Sequence, residues 1–438
     1  MSREITHTFL DEAPTAPHPS PTLQALRLVA RGILQEHPLP SFGDEEYRRF
    51  NITKVLTEAA KHLATPAQPS DRQDSRNCIL SRTSDLPKVT LLEDCVSGPT
   101  RDEEGYFLGE LSHFERLYPG LAERYMGTMD SLRTDPLAAL NTLYANEVLV
   151  LYLPRGRHLD TPIHLLRRAA LVEGQVRFFC PRILVIADQG SSAKILLCDH
   201  VDHEDTPSYR NSLLEIYAES GSHIECYDIE ETTPQTTRLH SVHIQQAEKS
   251  FVLTNNLTIT NGVTRNNYYC QLLGPQAELN LDGLAILDGD QHADTYSLIR
   301  HLAPDCHSDE LFRYTLNDRA QGAFSGMIYV DRVAQKTLAY QTNRNLLLSP
   351  QARMHSKPQL EIYADDVRCT HGLTTGELDT KALFYMRQRG IPYVEARLML
   401  IIAFMSDVLD KIDLPDLRDR LADVIDRRYR GMPAACAY

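Results

Sequence analysis

Cys369 and His371 stand two residues apart in YADDVRCTHGLTTGELD, Tyr363 to Asp379, with Arg368 beside them, Asp365 and Asp366 just ahead and a Gly-containing turn behind. On an extended backbone Val367, Cys369 and His371 share one face, and Arg368 and Thr370 the other. A thiolate is stabilised by a nearby cation, which Arg368 or a protonated His371 would supply. Thiolate and imidazole are also soft and borderline metal ligands, suited to iron and sulfur chemistry. The plainer reading is a small buried cysteine and a hydrogen-bonded histidine. On the residues alone, the plainer reading leads.

Two other groups invite chemistry. QHADTYSLIRHLAPDCHSDE carries His292, Asp294, His301, Cys306 and His307. His292 and Asp294 face the same way on a strand and would share a metal as part of a metalloenzyme site. Their spacing matches no metal motif, so lining polar residues are the simpler account. Asp365 and Asp366 invite comparison with β-helix enzymes that cut polysaccharides with paired carboxylates. Adjacent strand residues point to opposite faces, so a turn role fits them better. No Gly-rich phosphate loop ending in lysine occurs in the sequence.

The elements that must position these groups come in three blocks. Residues 1–20, rich in Pro and Thr, are expected to be disordered. Residues 21–145 read as mainly helical: Leu23, Leu26, Ala30 and Ile33 share a face, as do Ile52, Val55, Leu56, Ala59 and Leu63. PAQPSDRQDSRN reads as an exposed loop, and helical patches are expected from Phe107 to Leu143. Residues 146–379 give short alternating runs such as RILVIAD, AKILLCDH, HIECYDIE and QLEIYAD, with turns between them. Small residues after turn signals recur at Ala193, His223, Ser250, Ala277, Phe324 and Ala352, in steps of about one solenoid coil. A β-sandwich is the competing architecture. Residues 380–438 return to helix, with Thr380 as a cap, Pro392 in a first turn, and a broad apolar stripe from Leu398 to Ile412. The stripe reads as core, and a truncation near Leu378 is expected to leave the β block folded.

Composition narrows the function classes. The chain has 438 residues, 42% apolar and 24% charged, with a net charge of −14. So acidic a surface repels nucleic acid and anionic lipid. The longest apolar run, LMLIIAFM, is far short of the roughly 20 residues that span a bilayer. No basic start precedes an apolar run at the N-terminus, so no export signal is expected. Nine single cysteines without a CxxC pair suit a cytoplasmic protein with reduced thiols.

The run from Ala334 to Ile391, with AQKT, NLLLS, KPQLEIYADDV, C-x-H and LFYxxxRGI, resembles the SufB/SufD family of iron–sulfur cluster assembly proteins. FSGMIYV and DGDQHADTYSLIRHLAPDCHS extend the resemblance upstream. Gly372 after the histidine, TTG at Thr374–Gly376 and LPSFGDEEYRRF resemble the SufD branch, with Tyr47 where tryptophan is usual and Leu373 in place of the commoner alanine. The resemblance implies a mainly β fold, a right-handed parallel β-helix core flanked by N-terminal and C-terminal helical domains. It implies a non-enzymatic scaffold that pairs with SufB through the β-helix and docks SufC, an ABC-type ATPase, through its C-terminal helices. Cys369 and His371 match the family's C-x-H step, at an interface where an iron–sulfur cluster is held in transit. The chain alone is expected to hold no cofactor stably. A flavin in the complex and a homodimer of the isolated chain remain open. The alternatives are a SufB-like paralogue and, from a different class, a β-helix carbohydrate-active enzyme. Lacking a phosphate loop, the purified chain is expected to hydrolyse no ATP. Phosphate release above background from a contaminant-free preparation would sink the scaffold reading.

Overall fold

Two parallel sheets, wound by a chain that crosses from one to the other at each half-turn, make a β-solenoid in the computed structural model. The model describes residues 2–16, 18–63, 86–93, 95–97, 105–169, 176–201 and 205–432. The loop expected at PAQPSDRQDSRN lies outside the described residues.

One sheet stacks, in order, Cys95–Ser97, Lys88–Leu92, Ile163–Ala169, Ser192–Val201, His223–Glu231, Phe251–Thr260, Glu278–Leu287, His307–Leu316, Leu338–Leu347 and Arg368–Gly376. The other runs from Phe107–Glu110 through Val148–Leu153, Arg182–Ala187, Ser208–Ala218, Thr236–Gln246, Val263–Leu272, His292–His301 and Gln321–Val330 to Arg353–Ile362. Lys88–Leu92 and Phe107–Glu110 therefore join the sheets although they precede residue 146, and Phe107–Glu110 is a strand where a helix was expected.

The repeat has a physical basis at one corner. Ser192, His223, Phe251, Glu278, His307, Leu338 and Arg368 are aligned partners on successive coils. Just before them stand Ser191, Ser222, Ser250, Ala277, Cys306 and Thr337, all buried and all small enough for a tight corner. Gly190, Gly221, Lys249, Gln276, Asp305 and Lys336 precede these, each with positive φ. The amide of each corner residue donates to a carbonyl of the next coil, for example Lys249 to Pro275 at 3.0 Å and Asp305 to Gln335 at 2.9 Å. That bond offsets the cost of the left-handed backbone at the non-glycine corners. Phe324 lies in the second sheet and Ala352 at the turn just before its last strand, which is why the sequence steps look irregular.

Alternate residues fill the bore or face outward. Ile195, Leu197, Ile224, Val252, Leu279 and Leu281 meet Leu214, Ile216, Val242, Ile244 and Tyr268 inside. Buried charge fills the remainder: Arg238 reaches Asp199 and Asp228 at 2.8 Å each, Arg167 reaches Asp228 at 2.6 Å, and Arg210 reaches Asp199 at 3.0 Å. Burial alone would raise the Asp228 carboxyl, yet Arg167, Arg238 and His240 hold it well below the usual range.

Both outer faces are roofed. Helix Ser2–Asp11, in the segment expected to be disordered, buries Ile5, Phe9 and Leu10 beside helices Pro21–Glu36, Ile52–Ala60 and Pro136–Tyr144. Burial of those three apolar side chains is what orders it. Helices Tyr393–Leu409 and Pro415–Tyr429 lay Ile401, Met405, Val408, Leu417, Leu421 and Val424 over Leu196, Tyr227, Ile229, Leu257, Leu284 and Ile286 of the first sheet. The apolar stripe is thus core. A truncation at Leu378 would bare that whole sheet face, so the expectation that such a fragment stays folded is withdrawn.

Two buried histidines make stability sensitive to acid. Burial, with Arg238 beside it, pushes His240 down to about 4, and burial with His307 nearby pushes His301 down to about 3. The unfolded chain takes up protons below about pH 6.5 that the folded chain refuses. Stability is therefore full above that pH and falls as pH drops toward the folded values. At pH 4.5 His301 alone costs about 2–3 kcal/mol. His301→Gln retains a partner for the Ser308 hydroxyl and should flatten the acid limb of a urea-denaturation series by roughly this amount. An unchanged slope between pH 6.5 and 4.5 would show that His301 does not carry it.

Candidate functional site

The last coil is where the solenoid stops without a cover. Among the described residues Arg368–Gly376 pairs on one side only, with Leu338–Leu347, and Arg353–Ile362 pairs only with Gln321–Val330. Both final strands are largely exposed along their length. The opposite end is finished differently: Cys95–Ser97 and Phe107–Glu110 lie antiparallel on the first strands of the two sheets.

Cys369 and His371 sit on the open-ended strand. Cys369 aligns with Ala339, His371 with Gln341, Leu373 with Asn343 and Thr375 with Asn345, and all four of those partners are buried. The expected shared face is therefore the bore side of the last coil. Cys369 is half-buried against the core, while His371 is exposed. Burial pushes the Cys369 thiol up, against a hydrogen bond with the Ala339 backbone. Arg368 falls on the opposite face, and neither it nor His371 offsets that burial, so the expected stabilisation of a thiolate by a neighbouring cation is not found. A Cβ added at Gly372 would meet nothing within 4 Å, so packing does not require glycine there.

Behind these residues the bore is polar. Glu310 accepts from the Ser297 hydroxyl at 2.5 Å and from Gln341 Nε2 at 2.6 Å. Asn343 Oδ1 accepts from Asn345 Nδ2 at 2.7 Å and from the Ser356 hydroxyl at 2.8 Å. Burial pushes the Glu310 carboxyl up to about 7, with the Ser297 and Gln341 hydrogen bonds opposing. None of these residues stands out in the sequence. The signal that would find them is the coil period itself, since Gln341 lies 31 residues after Glu310.

The other candidates separate. His292 packs edge-on against Phe50, with ring centroids 5.7 Å apart, and Asp294 pairs with Arg265 at 2.7 Å on the outer face. His301 points into the bore and meets the Ser308 hydroxyl at 2.8 Å. Cys306 is buried at a corner, its thiol donating to the Gly274 carbonyl at 3.3 Å. Among the described residues no group of three or more His, Cys, Asp or Glu side chains could hold a metal ion, which removes the support for a metalloenzyme at this stretch. Asp365 and Asp366 are both exposed at a bend, where Asp366 serves the corner by accepting from the Lys336 amide.

A second exposed feature follows the last strand directly. Asp379, in place of the expected Thr380, caps helix Thr380–Gln388 by accepting from the amides of Lys381 and Ala382 at 2.8 and 3.2 Å. Pro392 stands just outside helix Tyr393–Leu409, at its cap. Helix Thr380–Gln388 buries no residue at all, and Phe384 and Tyr385 are 64% and 59% exposed. Arg389 donates to the Tyr385 hydroxyl at 2.8 Å, and Arg387 lies 5.9 Å from the Tyr393 ring. No helix among the described residues is long and apolar enough to cross a membrane.

Comparison with known proteins agrees with this layout. Residues 170–404 match the family described as SUF system FeS cluster assembly, SufBD core domain, and residues 11–165 match the SufBD protein N-terminal region. The chain is similar to the iron–sulfur cluster assembly protein SufD of Escherichia coli, at 27% identity over 70% of this chain and 72% of that one. It is similar to the chloroplastic protein ABCI7 of Arabidopsis thaliana, at 26% identity over 95% and 88%. SufD of Bacillus subtilis matches at 22% identity over 93% and 94%.

Proposed function

The chain belongs to the SufBD family of the SUF iron–sulfur cluster assembly system, and from that premise we propose that it is a SufD-like, non-catalytic scaffold subunit of a SufBCD-type complex. The observation that carries this reading is the coincidence of Cys369 and His371 with the end of the solenoid that no described residue covers. An unpaired strand edge is a template for another strand. A SufB-like subunit docking there would satisfy the edge and bring its own ligands against the thiol and imidazole. Two ligands from one chain fall short of the four that hold a cluster, which suits cargo shared across a seam and released from it. The isolated chain then binds no cluster stably, and its open edges favour self-pairing into a homodimer when no partner is present. Residence in the cytoplasm suits the reduced thiols, and the carbohydrate-active reading is set aside by the family match.

The SufC-like ATPase is assigned to helix Thr380–Gln388 and the start of the next. Aromatic and arginine side chains dominate there, and these are the usual anchors of protein interfaces.

His371→Ala should leave the complex folded, as expected for an exposed residue at an open strand edge. Reconstituted cluster on the complex with the SufB-like and SufC-like partners should fall sharply, and Cys369→Ser should cause a smaller loss. Normal cluster yield in a folded His371→Ala complex would refute the ligand role; a yield that falls only in proportion to unfolding would instead mark a packing residue.

The double substitution Phe384→Ala, Tyr385→Ala should weaken binding of the ATPase by about tenfold or more, typical of anchor residues, with melting unchanged. An unaltered Kd in titration calorimetry would move the docking surface elsewhere.

A further inference from the structure

We infer that Gln341 is a positioning residue for His371: clamped across the bore by Glu310 and Gly326, its carboxamide oxygen is an unfilled acceptor for one imidazole N–H of the next coil, and a bond made there leaves the other ring nitrogen free for metal. The inference rests on the reading of His371 as a cluster ligand.

The geometry comes from three successive coils. Glu310, Gln341 and His371 are aligned partners on neighbouring strands, all on the bore side. Aligned residues of adjacent parallel strands stand about 4.8 Å apart, within reach of side chains that share a face. Gln341 spends its NH2 group on Glu310 Oε2, at 2.6 Å. Its Oε1 is buried and has no hydrogen-bond partner while the His371 side chain stands exposed, so the imidazole fills it by turning inward. An unsatisfied buried carbonyl costs about 1–3 kcal/mol, so a donor at this point is strongly favoured. The next group along the column is the His371 imidazole, which in either neutral tautomer carries one N–H donor.

The carboxamide is fixed in that sense from both sides. Glu310 accepts from Ser297 through one oxygen and from the Gln341 NH2 through the other, and above its raised carboxyl range of about 7 it offers only acceptors, which selects the NH2 end. On the opposite sheet Gly326 makes the room: a Cβ there would collide with the Gln341 carboxamide. A histidine that ligates metal commonly donates its second ring N–H to a fixed acceptor, which sets the tautomer and raises ligand basicity. Gln341 supplies that acceptor from within the bore, while the partner subunit would approach from outside.

The test reads the imidazole directly, in the full chain without metal. With 15N-labelled histidine, long-range proton–nitrogen correlation reports the tautomer of His371, assigned by its loss in His371→Ala. The expected result is one dominant tautomer in the parent, and a mixture in Gln341→Leu. Gly326→Ala, which displaces the carboxamide but keeps it, should give the same mixture. Asn343→Leu removes an equally buried amide aligned with Leu373, and should leave the His371 signal unchanged. An unaltered tautomer in both Gln341→Leu and Gly326→Ala overturns the inference, as does an equal effect from Asn343→Leu, which would indicate general loosening of the coil. In the reconstituted complex, Gln341→Leu should lower iron retention by about tenfold, the range for lost outer-shell partners. Should His371→Ala keep full cluster yield while Gln341 still sets the tautomer, the ligand reading fails and the hydrogen bond stands.

Discussion

A parallel solenoid satisfies its backbone only by stacking, because every strand's hydrogen bonds run to the coils on either side of it. The consequence is that its two ends cannot be treated alike by default; each must be finished by something else. In this chain the early end is finished by antiparallel strands and helices, and the late end is left as two exposed strand edges. Cys369 and His371 stand at the open end of that asymmetry, which is what the proposed partner would cover.

The same constraint explains why the C-terminal helices turn back over the coils they follow. The outer face of the first sheet is apolar, and Lys411, Arg420 and Arg428 clamp the returning helices to Asp282, Glu231 and Asp288, which lie on two coils. Only Glu377 and Leu378 separate the last strand from the Asp379 cap. The helix that buries nothing is thereby tethered beside the strand that pairs on one side only. Proposed cluster-holding and ATPase-docking surfaces are neighbours in the chain, and the second is anchored through the helices after it to the body of the solenoid.

Much of this was legible in residue order. Strand alternation and small corner residues implied coils, and the Leu398–Ile412 stripe implied a packed helix. The helix at Ser2–Asp11 was not legible, since its Pro-rich surroundings masked a short face that is ordered only by packing on distant residues. At the site, the spacing of Cys369 and His371 gave their common face. It did not give the direction of that face, nor the rise in the Cys369 thiol, because both depend on Ala339 and the core behind it. Gln341 and Glu310 were invisible for a related reason: their meaning lies in alignment between coils, which composition and local motifs do not carry.

The filling of the bore shows how the site is accommodated. The column that begins with Ile195 and Cys226 continues through Thr254 and Leu281, then becomes Glu310, Gln341 and His371 over the last three coils. Apolar side chains at an open end would face water and gain nothing from the bore, whereas polar ones satisfied by Ser297, Ser356 and Asn345 tolerate a wet mouth. The change in residue type toward the end is therefore what the open edge requires, before any chemistry is considered. It also means that ligands placed there draw little on the apolar core, so the terminal coil can carry exposed, metal-seeking groups while earlier coils supply the stability.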